Sequence, residues 1–261
     1  MEKKILCEII ENIEVAQNIH KITLKKPNKD FEIKAGQFIN IKCGEGDFPL
    51  LRRPISIGLT DEDSMTIYVN KVGKGTELLC DRSKGELVDI LGPLGNTFNM
   101  DIEKGRVLIV GGGIGVAPLL ELTRVLSTKK DLDIKAILGY REEPFLTKKF
   151  KNYTENIIVV SEKEGFDYKG YVTKPLEEEL KEMKYDLVFT CGPEPMLKKV
   201  NEICKNNNQT VQLLLEERMA CGIGACLVCT CKTKKGDNDW SYVRTCKEGP
   251  VFYGEEVIFD E

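Results

Sequence analysis

Five residues, Arg106-Val107-Leu108-Ile109-Val110, run directly into Gly111-Gly112-Gly113-Ile114-Gly115 and then into Val116-Ala117-Pro118-Leu119-Leu120-Glu121-Leu122. The unbroken apolar run reads as a strand buried on both faces, which places it inside a parallel sheet. The last segment reads as a helix with Leu119, Leu122 and Leu126 on its inner stripe. A tight turn between them needs one or two glycines. Four in five residues imply that a ligand comes close to bare backbone. A strand, a glycine turn and a helix N-terminus together form a phosphate cradle. The loop is not the dinucleotide G-x-G-x-x-G: counted from Gly113 the third glycine position is Pro118, and counted from Gly111 it is Val116.

The same alternation continues downstream. Strands are expected at 134–139, 157–161, 186–190 and 211–215, and helices at 176–184 and 196–205. That order predicts a parallel α/β sheet with its ligand at the strand C-termini. Gly111, Gly112, Gly113, Ile114, Gly115, Tyr140 and the trio Cys191-Gly192-Pro193 all fall at such ends, and form the candidate NAD site. A cysteine after a core strand is by default a small buried hydrophobe. Its place beside glycine and proline puts Cys191 in reach of a nicotinamide.

Upstream the pattern is different. Short β-type runs at 5–15, 19–24, 37–42, 54–59, 65–71 and 87–91 are separated by Gly, Pro and Asn turns, as in a barrel or sandwich. A short helix is expected after Gly75 with Thr76 as its N-cap. Two pieces carry chemistry. In Arg52-Arg53-Pro54-Ile55-Ser56 an arginine can grip phosphate with two parallel hydrogen bonds and the serine offers a hydroxyl. In Val72-Gly73-Lys74-Gly75-Thr76 glycines precede a helix start, a place that suits a diphosphate. Either piece alone also fits an ordinary strand or an ordinary cap.

Near the C-terminus, Cys221, Cys226, Cys229 and Cys246 give C-x4-C-x2-C-x16-C. The first two spacings match the plant-type pattern that holds a [2Fe–2S] cluster on thiolates. Gly222 and Gly224 would let the loop bring amide N–H groups to the sulfurs. A structural zinc site uses similar short spacings, but matched cysteine pairs are its habit and one C-x2-C is present here. Cys231 stands as an alternative fourth ligand to Cys246.

Composition narrows the classes. The charge of −4 comes from interspersed acids and bases, so no basic face for nucleic acid is evident, and Lys148, Lys149 and Lys151 read as solvated surface. No apolar run is long enough to span a membrane. Ten cysteines without an export signal point to a reducing, cytoplasmic setting. The one histidine, His20, reads as structural, so chemistry is expected from cofactors rather than from acid–base side chains.

The order Arg-Pro-x-Ser, Gly-x-Gly-Thr, Gly-Pro-Leu-Gly, Gly-Gly-Gly-Ile-Gly and Cys-Gly-Pro resembles the ferredoxin–NADP reductase superfamily. Glu216-Glu217-Arg218-Met219-Ala220-Cys221-Gly222-Ile223-Gly224-Ala225-Cys226 narrows this, and the chain from end to end resembles the electron-transfer subunits of class 1B dihydroorotate dehydrogenase. The resemblance implies a six-stranded antiparallel FAD barrel at 1–101, an α/β parallel-sheet NAD domain at 102–212 and a small iron–sulfur module at 213–261. It implies FAD on Arg53, Pro54, Ile55, Ser56, Tyr68, Val69, Asn70, Gly75 and Thr76, and the cluster on Cys221, Cys226, Cys229 and Cys246. Many superfamily members carry an aromatic where Ile55 stands, and an arginine is missing from 68–71. The implied partner is an FMN-containing catalytic subunit, in a heterotetramer, that oxidises dihydroorotate in pyrimidine biosynthesis. Glu142 and Glu143 would favour NAD over NADP near a ribose, while Arg141 argues the other way. Two other readings are the small subunit of an NAD(P)H–ferredoxin oxidoreductase, whose cluster loop typically includes a non-cysteine ligand, and a zinc-stabilised nucleotide-binding regulator.

Overall fold

The computed structural model describes residues 5–44, 46, 48–236 and 239–259. Strands β1 (Ile5–Ala16), β2 (Ile19–Lys25), β3 (Phe38–Lys42), β4 (Arg53–Thr60), β5 (Ser64–Asn70) and β6 (Leu87–Leu94) close an antiparallel barrel in the order β1-β2-β5-β4-β3-β6. The alternation of β-branched and long apolar residues dictates the closure. Ile22 and Leu24, Ile39 and Ile41, and Met65, Ile67 and Val69 point inward and are fully buried. Helix α1 (Lys74–Cys80) seals the barrel with Leu79 and Cys80. The N-cap of α1 is Gly73, not Thr76. Thr76 lies three residues on, and its hydroxyl reaches back to accept from Val72 N (3.0 Å) and Gly73 N (3.1 Å). A threonine with a partner upstream serves as well at N3 as at the cap itself.

The rest of the chain contributes β7 (Lys104–Gly112), α2 (Val116–Leu126), β8 (Asp131–Tyr140), α3 (Thr147–Phe150), β9 (Asn156–Ser161), β10 (Tyr168–Lys169), α4 (Thr173–Glu182), β11 (Leu187–Cys191), α5 (Glu194–Asn206), β12 (Val211–Leu214), β13 (Thr230–Lys234), β14 (Trp240–Arg244), β15 (Val251–Tyr253) and β16 (Val257–Ile258). A seven-stranded sheet runs β10-β9-β8-β7-β11-β12-β15. It is parallel except for β15, which pairs antiparallel with β12. Strand β7 is buried on both sides: Val107 and Ile109 face the core with α2, while Leu108 and Val110 face the core with α4 and α5. Strands β13, β14 and β16 form a separate small sheet in the order β14-β13-β16.

Helix α2 differs from the expected one-sided helix. Leu120, Glu121 and Thr123 are buried along with Leu119, Leu122 and Leu126, because the helix lies between the sheet and barrel strand β4. Glu121, 1% exposed, is an acid on the barrel-facing side. Its carboxylate accepts from Thr60 N (3.1 Å) and Thr60 Oγ1 (2.7 Å) and from Arg124 Nε (2.9 Å) and Nη2 (2.7 Å). All of its charge is therefore met by donors, two of them from the barrel. Glu121→Ala should lower the thermal midpoint and cost about 3 kcal/mol, since the half-buried Thr60 donors and the Arg124 guanidinium lose their acceptor. Differential scanning calorimetry checks this, and an unchanged midpoint would show that the barrel–sheet contact does not depend on the pair.

Candidate cofactor and cluster sites

Two neighbouring arginines at the start of β4 have different work. Arg52 donates from Nη1 to Asp89 O (2.9 Å) and from Nη2 to Asp89 Oδ1 (2.9 Å), which pins the start of β4 to β6. Arg53 turns to α1 instead. A Cβ built on Gly75 would stand 2.8 Å from Arg53 Nε, so the guanidinium lies on the first turn of that helix. On β5, the Tyr68 ring covers Gly58, and its buried hydroxyl has no hydrogen-bond partner among the described residues. Burial pushes the Tyr68 phenol above its ordinary range, so it stays a neutral donor. Val69 fills the barrel interior, which leaves only its backbone to a ligand. Ile55 also packs on the barrel core, while Pro54, Ser56 and Asn70 are half-buried. A cation laid on a glycine and an orphaned phenol suit an anionic ligand with a polar flat portion, as FAD is. The Thr76 hydroxyl is already committed to its own loop.

The glycine turn and Cys191-Gly192-Pro193 lie where the strand order reverses. Strands β8, β9 and β10 lie on one side of β7, and β11 and β12 lie on the other. Gly111 and Cys191 are register partners across that switch point. A Cβ on Gly115 would stand 2.6 Å from Cys191 O, so glycine is what lets the two strand ends meet. The Met196 thioether lies over both Gly112 and Gly192. Gly113 and Ile114 are half-exposed at the mouth and Pro193 is exposed. Burial, and then the Glu216 carboxylate, push the Cys191 thiol well above its ordinary range. Cys191 is thus an apolar wall rather than a thiolate. Tyr140 stands in the core, with its hydroxyl donated to Phe145 O (2.6 Å).

The cysteine loop packs against the barrel. Phe38 of β3 is buried with Cys229 and Cys246, and Asn40 Nδ2 reaches Cys221 O (3.4 Å). Gly224 N donates to Cys246 Sγ (3.1 Å) and Ala225 N to Cys221 Sγ (3.3 Å). Gly224 has φ +83°, a conformation that admits glycine readily. The four sulfurs fall into two neighbouring pairs, Cys221 with Cys226 and Cys229 with Cys246. Burial raises the Cys221 thiol, but the Ile223 amide, the Cys226 thiol and the Cys226 and Ala225 amides outweigh it and bring it down to about 6. Burial and the adjoining Cys229 push Cys246 up to about 12. Two thiol pairs with amide donors aimed at the sulfurs fit a two-iron cluster, in which each iron takes two thiolates. Cys231 belongs instead to the sheet core, in the cluster that includes Val243 and Val257.

Phe38, Asn40 and Met196 carry no motif. The sole sequence sign of Asn40 is a polar residue inside the apolar strand Phe38-Ile39-Asn40-Ile41.

Residues 216–258 match the family model described as the iron-sulfur cluster binding domain of dihydroorotate dehydrogenase B. Residues 109–202 match the oxidoreductase NAD-binding domain. The chain is 41% identical over 263 residues to the dihydroorotate dehydrogenase B (NAD(+)) electron transfer subunit of Caldanaerobacter subterraneus subsp. tengcongensis, covering 99% of this chain and 100% of that one. It is 40% identical over 260 residues to the subunit of the same name from Clostridium acetobutylicum, covering 100% and 99%. The chain belongs to this family of electron transfer subunits. Among solved structures, the NADH-dependent reduced ferredoxin-NADP oxidoreductase studied for flavin-based electron bifurcation superposes with a TM-score of 0.85 at 28% identity, covering 99% of this chain and 91% of that one. Phthalate dioxygenase reductase shares the fold, with a TM-score of 0.66 at 14% identity over 94% of this chain and 77% of that one.

The two cysteines that compete for the fourth position separate cleanly in a test. Cys246→Ser should abolish the cluster's visible absorption and Cys231→Ser should keep it. The reverse pattern would move the fourth ligand to β13.

Proposed function

We propose that the chain passes electrons from a catalytic dihydroorotate dehydrogenase subunit to NAD+, through a [2Fe–2S] cluster and FAD, in cytoplasmic pyrimidine biosynthesis. NAD exchanges electrons in pairs, the cluster passes them singly, and the flavin joins the two modes. The division is 1–101 for FAD, 102–212 for NAD and 213–261 for the cluster, with β15 of the last fastened to the sheet of the second. Cys221, Cys226, Cys229 and Cys246 hold the iron. Arg53, Gly75 and Thr76 frame the flavin diphosphate, and Tyr68 offers the open phenol. Pro54, Ile55, Ser56, Val69 and Asn70 line the remaining wall. Gly111, Gly112, Gly113, Ile114 and Gly115 take the NAD phosphates, with Cys191, Gly192 and Pro193 at the nicotinamide and Tyr140 behind them.

The observation that carries this reading is β3. Its register places Phe38 opposite Ser56 and Asn40 opposite Pro54, while the same two residues touch the cysteine loop. The flavin strand and the cluster loop are therefore one strand apart. The partner is an FMN-bearing barrel, with two copies of each subunit. Identity of 41% to the dihydroorotate dehydrogenase subunit, against 28% to the ferredoxin-linked enzyme, favours this over the oxidoreductase reading. NAD is the chosen nucleotide. Lys163 is held by Glu142 (3.0 Å) and Glu143 (3.3 Å) and Arg141 faces Glu162 (3.6 Å), so the cations at the ends of β8 and β9 are met by carboxylates.

Reconstitution tests the central reading. The chain alone should reduce dyes with NADH, whereas NAD+-linked dihydroorotate oxidation should need both subunits. Full NAD+-linked activity from the partner alone would overturn it. For the nucleotide, Glu142→Gln combined with Glu143→Gln should free Lys163 and raise the NADPH-to-NADH ratio of kcat/KM about tenfold. An unchanged ratio would place the selection elsewhere.

A further inference from the structure

We infer that Arg244 and Glu248 form a clamp that fixes the cysteine loop at Gly224 and sets the reduction potential of the cluster. This rests on Cys221, Cys226, Cys229 and Cys246 being the cluster ligands. Arg244 is the last residue of β14, and the chain then turns helically to Glu248, with Glu248 N donating to Arg244 O (2.9 Å). Glu248 Oε2 accepts from Arg244 N (2.7 Å) and Arg244 Nε (3.0 Å), and Oε1 accepts from Arg244 Nη2. The pair is thus bidentate, with a backbone donor added, and the guanidinium is left one free edge. That edge donates from Nη1 to Gly224 O (2.7 Å). The other end of the same residue, Gly224 N, donates to Cys246 Sγ (3.1 Å). Gly224 is therefore held at its carbonyl by Arg244 and at its amide by the sulfur.

The clamp is anchored beyond itself. Asn96, in the loop after β6, donates from Nδ2 to Glu248 O (2.9 Å), and its Oδ1 accepts from Val251 N (2.9 Å). Thr245 N donates to Cys229 O (2.8 Å). The turn 244–248 is thus tied to the barrel on one side and to Cys229 and Gly224 on the other. Ion pairs on a protein surface contribute little when they are single and mobile. This one has planar two-point geometry, and both side chains are about two-thirds covered, at 29% and 35% exposure. The Lys247 stem lies over Gly224 as well, where a Cβ would stand 2.7 Å from Lys247 Cδ.

Uptake of one electron adds one negative charge to the cluster. A guanidinium linked to a ligand sulfur through Gly224 favours the reduced form, and the carboxylate paired with it disfavours it. The two halves of the clamp therefore push the potential in opposite directions, which a simple strut would not do.

The test is an EPR-monitored redox titration of the holoprotein, purified anaerobically with its cluster. Arg244→Gln should shift the one-electron equilibrium about tenfold toward the oxidised cluster, which is about 59 mV more negative. Glu248→Gln should shift it to more positive potential. Arg244→Lys, which keeps the charge, should restore most of the loss. If both neutral variants move the same way, or neither moves, the clamp does not set the potential. If Arg244→Gln loses its cluster on purification, Glu248→Gln decides, because it leaves the bond to Gly224 O in place: a positive shift supports the inference and no shift overturns it. Wild-type protein with the cluster's absorption and no opposite shifts would sink the clamp alone. Wild-type protein lacking that absorption would sink the ligand assignment, and the clamp with it.

Discussion

One strand of the barrel, β3, is committed on both faces, and the arrangement of the sites depends on it. Its inward residues Ile39 and Ile41 belong to the barrel core. Its outward residues Phe38 and Asn40 meet the cysteine loop. Because side chains alternate along a strand, neither set can change without the other. A one-residue slip of β3 would put Phe38 and Asn40 into the barrel and Ile39 against Cys229. The strand order then fixes what else is near. With β4 on one side of β3 and β6 on the other, the Arg53–Ser56 segment is always one strand from the cysteine loop. The barrel closes by burying apolar surface, and the distance between two sites follows from that closure.

A second commitment works across the other side of the barrel. Helix α2 starts at the glycine turn and packs against β4, so a single helix joins that turn to the barrel. Packing on both faces normally calls for a helix that is apolar all round. Glu121 breaks that rule and is accommodated because every donor it needs converges on it, two from Thr60 and two from Arg124. An acid in that place fixes the rotation of α2 about its own axis, which leucines alone would leave looser.

Much of this was legible in the sequence, for reasons that differ by region. The six barrel strands and the β7–glycine–α2 junction were readable because period-2 and all-apolar patterns are local. The burial of Glu121 was not, since the helix pattern shows one face and the barrel that covers the other is distant in the chain. The Thr76 cap was misplaced by three residues because a capping hydroxyl reads the same at the cap and at N3. Strand β13 was hidden by its lysines and threonines, and β14 by having no buried face. Their alternation buries only Cys231 and Thr233, and they exist as strands because β16 and the core beneath them supply the pairing. His20, the one histidine, sits on the barrel wall against Asn12 Oδ1 (2.9 Å), as a structural residue should.

The fourth cysteine shows how pairing can replace spacing. The first three lie within nine residues, and their separations are dictated by the loop itself. The sixteen residues before Cys246 are not a loop of fixed length. They are a hairpin, β13 and β14, whose register puts Thr230 opposite Arg244. Cys229 precedes Thr230 and Cys246 follows Arg244 by two, so the hairpin returns the chain to where it left, whatever the length of its tip. The same register puts Cys231 opposite Val243, with its sulfur turned into the core. The hairpin therefore separates two cysteines that sequence spacing leaves equivalent: Cys231 lies within β13, and Cys246 lies past the end of β14 in the turn that follows. It also delivers Arg244 to the loop as part of the same return, so the cation and the last thiol arrive together.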